Sequence, residues 1–553
     1  MKLFQPKICT VFRGYGAKQL GSDLVAGLIV AIIALPLSIA LAIASGVAPE
    51  KGLYTAIVAG FVIALLGGSR VNISGPTAAF ATIVAGIVAQ FGTEGLVIAT
   101  IMAGLMLVVM GLCQFGSLIK YIPHTITTGF TSGIAITIVI GQIKDFMGLT
   151  FAEGTHAVET MEKLSAVAAS IATINWQAIL VGLIGLAILI VWPKINKKIP
   201  GSLIAVVVGV IVVKVFDMQV NTIGDLYTIS SSAPQFAVPA IDFNAIRQLL
   251  PSAFTIAILA AIESLLSCVV SDGMISDRHN SNTELIAQGV GNICSGLFGG
   301  IPATGAIART AANVKNGGRT PVSGMVHAVV LLLILVVLMP YAAWIPMPII
   351  AAILFMVAYN MSEWRAFVRI CKTAPKSDIW VLVLTFVLTV VFDLVVAIEV
   401  GLLAAVILFM KRMADVTHIR PWTKGDELCA DDNGRLKAIP PKTQVYEIEG
   451  SMFFATTDKL NAIPVKEGTK VIILRMRSVA ALDVSALGAL ESVCALCRKK
   501  GITVLFSHVN KQPLSVMVKA GFFEAQGEEN FRDNIDDALA YAKRLCTPKS
   551  TQE

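Results

Sequence analysis

Asn72-Ile73-Ser74-Gly75-Pro76-Thr77-Ala78 and Gly299-Gly300-Ile301-Pro302-Ala303-Thr304-Gly305 interrupt an otherwise strongly apolar chain, and their reading decides the fold. In each, glycine and proline end one segment and clear the backbone ahead of the next apolar run, so each opens a helix whose first amides have no partner inside the helix. Such an N-terminus carries partial positive charge and free N–H donors, a combination suited to an anion. The first stretch opens the third apolar segment, and the second opens the tenth, the third of the second half. Glycine and proline also serve close helix packing in membranes. Their matched placement points instead to an inverted-repeat transport fold, in which two broken helices face each other near the bilayer midplane. Thr77 and Thr304 place a hydroxyl near each N-terminus.

The rest of the chain supports a membrane setting. Of 553 residues, 56% are hydrophobic and 14% charged, against about 25% charged in soluble domains, and the mean hydropathy is +0.77. Leu24 to Ser45 and Gly95 to Ile119 contain no Asp, Glu, Lys or Arg, and a run of about twenty apolar residues crosses a bilayer. The first is too long for a signal-peptide core and is read as a retained span. Apolar segments recur to give about fourteen crossings, several too short to span alone. Lys2, Lys7, Arg13 and Lys18, then Lys194, Lys197 and Lys198, then Arg365, Arg369, Lys372 and Lys376, and finally Lys411 and Arg412 fall on one side of this arrangement. The positive-inside rule puts that side, and both termini, in the cytoplasm, with the protein multi-pass in the inner (plasma) membrane. A net charge of +7 distributed in this way is a topology signal and leaves no nucleic-acid site.

Around Asp415 the composition changes. The expected layout is an N-terminal cytoplasmic segment at 1–20, a transmembrane region at 21–415, a linker at 416–442, an α/β domain at 443–548 and a tail at 549–553. Within the domain, Tyr446 to Glu449, Met452 to Ala455, Val471 to Met476 and Ile502 to Phe506 read as strands. Ser485 to Lys499 and Pro513 to Ala520 read as helices ended by Gly501 and Gly521. Alternating strand and helix predicts a small layered fold. The nine cysteines lack paired disulfide spacing, and Cys494 and Cys497 read as small buried residues of a helix rather than a metal or redox pair. No metal-ligand spacing and no nucleophile–base constellation appears, so the chain reads as no enzyme and calls for no cofactor.

Two ionisable residues stand at membrane depth beside the interruptions. Arg309 lies one turn beyond the second, where an unpaired cation costs at least about 3 kcal/mol and calls for an anionic partner. Glu263 lies in the apolar eighth segment. Thr255, Glu263, Ser267 and Ser271 recur at multiples of four and form one polar stripe on a helix. A carboxylate there is either a counter-ion to Arg309 or a proton-coupling group. His327 reads as a satisfied packing residue, and Ser281-Asn282-Thr283-Glu284 as the capping box of the ninth segment.

Leu35-Pro36, Gly46-Val47-Ala48-Pro49-Glu50-Lys51-Gly52-Leu53-Tyr54 and Ser74-Gly75-Pro76-Thr77 resemble the SulP sulfate-permease family of anion transporters. Glu263-Ser264-Leu265-Leu266, Gly289-Val290-Gly291-Asn292, Phe298-Gly299-Gly300 and Ala308-Arg309-Thr310 extend the likeness, and the tail looks like a STAS domain. The resemblance implies seven-plus-seven inverted repeats, a core domain holding a small anion between the third and tenth helices, a gate domain, an elevator-like movement and a homodimer. It assigns Leu37 and Leu41 of the first helix, Thr77 and Ala78 of the third, and Ala308 and Arg309 of the tenth to the anion, with Glu263 and Ser267 of the eighth as coupling residues. Many relatives have Ser where this chain has Ala308, and the Ile-Ala-Arg-Thr form looks most like the bacterial C4-dicarboxylate branch. The family also includes sulfate and bicarbonate carriers. Sodium-coupled relatives tend to have Asp and Thr where Glu263 and Ser267 stand, which favours the proton as coupling ion. In phosphorylatable STAS domains Ser or Thr follows the motif aspartate. Here Val484 follows Asp483, which points to a binding or assembly role with a cytoplasmic protein partner. The leading expectation is proton-coupled symport. Uncoupled or sodium-coupled transport or exchange, and an anion sensor signalling through the STAS domain, are the alternatives.

Overall fold

The computed structural model describes residues 4–11, 15–117, 123–152, 157, 159–196, 199–239, 243–392, 394–422 and 438–547. Lys2, Arg13, Lys197, Lys198, residues 423–437 of the expected linker and the 549–553 tail lie outside these. The chain divides into two compact units, Met1–Leu403 and Ala404–Glu553.

The first unit is helical. In order it contains α1 (Ala17–Ala44), α2 (Pro49–Leu66), β1 (Ser74–Gly75), α3 (Ala81–Leu112), α4 (His124–Met147), α5 (Trp176–Ile195), α6 (Gly201–Val215), α7 (Phe243–Ile275), α8 (Ser281–Leu297), β2 (Thr304–Gly305), α9 (Ile307–Lys315), α10 (Pro321–Ala342), α11 (Met347–Met361) and α12 (Lys376–Val391). A further helix, α13 (Leu394–Val416), runs across the boundary between the units. Eight helices among the described residues are long and apolar enough to cross a membrane. The third and fourth apolar segments together form α3, divided at Gly92, whose φ of 68° and ψ of −172° are non-helical and suit a residue without a β-carbon. The tenth segment yields only the nine residues of α9, less than half of a span. It is a half-helix.

Close backbone approach sets the packing in this unit. At the crossing of α3 and α8, a β-carbon on Gly104 would lie 2.6 Å from the Gly289 carbonyl oxygen and 2.8 Å from Ile293 Cγ1. The two helices meet through small residues, as membrane helices do where no hydrophobic gain separates lipid from protein contact. α7 packs on α3 and on α9, and α10 on α1 and α2, so the elements flanking the two interruptions form one cluster.

The second unit is a five-stranded sheet in the order β3 (His418–Pro421), β4 (Thr443–Glu449), β5 (Val471–Ser478), β6 (Thr503–Ser507) and β7 (Phe531–Arg532). β3 is antiparallel to β4 and the remaining pairs are parallel. Alternation along β5 sends Ile472 and Leu474 into one core with Leu487, Leu490 and Cys494 of α14 (Val484–Lys499), and Val471 and Ile473 into another with Ile535 and Leu539 of α16 (Ile535–Cys546). Between α14 and α16, α15 (Lys511–Lys519) ends before Gly521, whose φ is 72°. Cys494 and Cys497 are buried, and burial pushes the Cys494 thiol up to about 12, which keeps it protonated.

Two expectations need correction here. Met452–Ala455 is no strand. Met452 makes a single bridge to Leu482, and a 3₁₀ turn follows at Phe454–Thr456, whose first amide donates to Asp483 Oδ2 at 2.9 Å. The expected linker contains an edge strand, β3, because His418–Pro421 finds its partners in β4 rather than in its own alternation.

The crossing of α3 and α8 generates a direct test. Gly104→Ala should destabilise the purified protein by about 1–3 kcal/mol through overpacking. Gly86→Ala on the same helix, where a β-carbon meets nothing within 4 Å, should leave the thermal midpoint within error. Equal midpoints for the two variants would refute the packing.

Candidate functional site

The two interruptions pair with each other. Ser74 lies opposite Gly305 and Gly75 opposite Thr304 in an antiparallel bridge, and Ala306 N donates to the Ile73 carbonyl at 2.8 Å. Beyond the bridge each chain turns into a helix that has no capping side chain. Thr77 is extended (φ −127°, ψ 158°) before the 3₁₀ turn Ala78–Phe80 that leads into α3, and Ala306 (φ −97°, ψ 104°) precedes α9. Both helix starts therefore present amides that no side chain satisfies, the arrangement an anion seeks.

Arg309, one turn into α9, is 3% exposed. Its Nη2 donates to the Pro76 carbonyl, and its Nη1 is buried without a hydrogen bond among the described residues. Glu263 of α7 is half-buried, and its Oε2 accepts from Thr77 Oγ1 at 3.0 Å. The two charged groups make no direct ion pair among the described residues. Adjacent residues, Pro76 and Thr77, hold one each. A guanidinium with an unused donor edge thus lies beside two uncapped helix starts, with a carboxylate held one residue away.

Exposure sorts the other sequence candidates. Ala308 at the start of α9 is exposed, Thr77 and Leu37 are half-buried, and Leu41 and Ala78 are buried. Leu37 and Leu41 lie on α1, which packs against α9. Two further candidates are hydrogen-bonded inside the protein. Thr304 is fully buried, with Oγ1 2.8 Å from Ser264 Oγ and 3.2 Å from the Ala260 carbonyl, so its hydroxyl ties β2 to α7. Ser267 is also fully buried and donates to Asn72 Oδ1 at 2.7 Å, with Thr310 Oγ1 at 3.1 Å, so it joins α7 to the first interruption and to α9, one turn from Glu263.

Several structural roles were not anticipated. The N-cap of α8 is Asn280, whose Oδ1 accepts from Thr283 N at 3.2 Å, and Glu284 turns inward to Gly68, Ser69, Asn72 and Gln288. The recurrence of Glu284, Gln288 and Asn292 every four residues in an apolar helix is the signal that could have found this inner face. His327 is fully buried with neither ring nitrogen hydrogen-bonded, so it packs but is not satisfied. Asp483 caps α14 by accepting from Ala486 N at 2.8 Å, and Val484 beside it is 80% exposed.

The profile of the sulfate permease family matches residues 20–414, and that of the STAS domain residues 436–538. The chain belongs to the sulfate permease family. It is a multi-pass membrane anion transporter, not an enzyme. Over 531 residues it is 40% identical to "Putative sulfate transporter YvdB" of Bacillus subtilis (strain 168), covering 95% of this chain and 98% of the relative. It is 33% identical over 458 residues to the bicarbonate transporter BicA of Picosynechococcus sp., covering 79% of each chain. The solved overall structure of SLC26A9 superposes with a TM-score of 0.87 over 98% of this chain and 93% of that one, and at 18% identity this likeness concerns the fold.

In this sulfate permease family member, the position of Arg309 depends on an absent side chain. A β-carbon on Gly75 would lie 2.7 Å from Arg309 Nη1 and 3.5 Å from Ala56. Gly75→Ala should displace the guanidinium and weaken anion binding on the order of tenfold or more, since small misplacements at a site are costly. Thermal-shift titration of the purified variant checks this, and wild-type affinity would mean that the guanidinium edge does not face the anion.

Proposed function

We propose that this protein is a proton-coupled symporter of a small anion in the inner membrane, with both termini cytoplasmic. The anion binds between the N-termini of α3 and α9. The observation that carries this reading is the division of labour at Pro76–Thr77, where one residue holds Arg309 and the next holds Glu263. An anion arriving at the two helix starts engages the guanidinium through its planar fork. That engagement withdraws positive charge from Glu263 and favours protonation of the carboxylate, so anion and proton load together.

The substrate is a C4-dicarboxylate, sulfate or bicarbonate. Ala308 offers no hydroxyl at the exposed start of α9, which favours a carboxylate that pairs with the guanidinium over a bare inorganic oxyanion needing donors on every side. Leu37, Leu41, Thr77, Ala78 and Ala308 line the approach, while Thr304 and Ser267 hold the frame. Hydrogen bonds join α7, α8, α9, β1 and β2 into one body, as an elevator-like movement against a gate domain requires. The seven-plus-seven repeat and a homodimer complete the reading, with the STAS domain serving assembly or a cytoplasmic protein partner.

Coupling and binding separate in two variants. Glu263→Gln imitates the protonated state, so in liposomes it should retain anion counterflow while losing accumulation driven by an imposed pH gradient. Arg309→Ala should abolish both, and Arg309→Lys should be impaired because Lys lacks the fork. In the wild type, lower pH should tighten anion binding by the same factor by which the anion raises proton affinity. Accumulation by Glu263→Gln under a pH gradient alone would show that protons couple elsewhere or not at all.

A further inference from the structure

Glu284 lies buried in the first turn of α8, outside the anion site, 1% exposed. Four donors converge on its carboxylate. Oε2 accepts from Gly68 N at 2.9 Å and Ser69 N at 3.1 Å, and Oε1 accepts from Asn72 Nδ2 at 2.8 Å and Gln288 Nε2 at 3.0 Å. A carboxylate only accepts, so it dictates which end of the Asn72 amide faces it. Asn72 Oδ1 must then point the other way, where it accepts from Ser267 Oγ of α7 at 2.7 Å and Thr310 Oγ1 of α9 at 3.1 Å. Thr310 Oγ1 in turn accepts from Ile73 N at 2.9 Å. Ser267 is one turn from Glu263, and Thr310 adjoins Arg309.

We propose that Glu284 is a positioning residue for the anion site, which through the Asn72 amide sets the relative placement of the Pro76–Thr77 segment, α7 and α9. The inference rests on Arg309 and Glu263 forming that site. The charge matters as well as the shape. With an acceptor-only group at 284, every donor and acceptor from Glu284 through Asn72 to Ser267 and Thr310 has one consistent assignment. Satisfied along that path, the buried polar groups favour a single geometry.

The experiment exchanges the two ends of the central hydrogen bond in full-length protein reconstituted into liposomes, reading KM and maximal rate for labelled succinate, sulfate or bicarbonate, whichever the wild type transports, together with the thermal midpoint. Asn72→Asp sets two carboxylates against each other and should raise KM on the order of tenfold. Glu284→Gln should do the same, because an amide nitrogen now faces donors. In the double variant Asn72→Asp/Glu284→Gln, the amide at 284 donates to the carboxylate at 72, whose other oxygen still accepts from Ser267 and Thr310. Gln288, whose Oε1 has no hydrogen bond, can turn to accept from that amide and from Ser74. The double variant should therefore recover a KM within about threefold of wild type, a coupling that independent sites do not show. If Asn72→Asp fails to fold, Glu284→Gln against the double variant gives the same comparison. A double variant no better than its parents, or Glu284→Gln with a lowered midpoint and unchanged KM, would overturn the proposal. Arg309→Ala, run alongside, separates the two levels. Unchanged KM in that variant would sink the site itself, whereas loss of binding there with normal KM in Glu284→Gln would sink only the positioning role.

Discussion

A guanidinium and a carboxylate have to coexist in an apolar interior without cancelling each other, and the rest of the transport unit follows from that constraint. Direct contact between Arg309 and Glu263 would lower the cost of burial and leave no positive charge for a ligand. The backbone solves this by interposing two consecutive residues. The Pro76 carbonyl takes the arginine and the Thr77 hydroxyl takes the glutamate, so each charge has a partner while one edge of the guanidinium remains uncommitted. Proline suits the first place because its carbonyl is available while it has no N–H to satisfy.

Holding that junction still requires a frame, and the frame is polar where most membrane helix packing is apolar. The two-residue bridge between β1 and β2 fixes one interruption against the other. Ser264 and Thr304 tie β2 to α7, Ser267 and Thr310 tie Asn72 to α7 and α9, and Gln288 ties α8 to Ser74 at 2.9 Å. Each of these groups would be costly to bury alone. Bonded to one another, they join the elements around the broken helices into one frame, and the small-residue crossing of α3 and α8 adds a close apolar seam.

The chain announces the charges and the breaks more clearly than it announces the frame. Gly75-Pro76 and Pro302 with Gly305 are local signals, and an Arg or Glu in an apolar run is conspicuous whatever it contacts. Asn72, Ser264 and Glu284 act through partners that lie far away in sequence, such as Glu284 to Asn72 across 212 positions. The capping-box pattern makes Glu284 read as a capping residue, although the N-cap is Asn280 and only the recurrence of Glu284, Gln288 and Asn292 hints at an inward face. The hydrogen bonds of Thr304 and Ser267 are illegible for the same reason, since a hydroxyl in an apolar segment looks alike whether it faces a cavity or a neighbouring helix. In the C-terminal domain the buried strand at Val471 and the helix before Gly501 follow from local pattern. The edge strand at His418–Pro421 does not, because half of its pattern belongs to β4.

In the proposed site the anion sits between the two broken-helix starts, against the uncommitted edge of Arg309. A structure of the reconstituted protein determined with a transported anion tests it most directly. Density for the anion is expected within hydrogen-bonding distance of the Ala78 or Ala308 amide and in reach of Arg309 Nη1. Density elsewhere in the transport unit, with the space between the starts of α3 and α9 empty and Arg309 still bound only to Pro76, would contradict it.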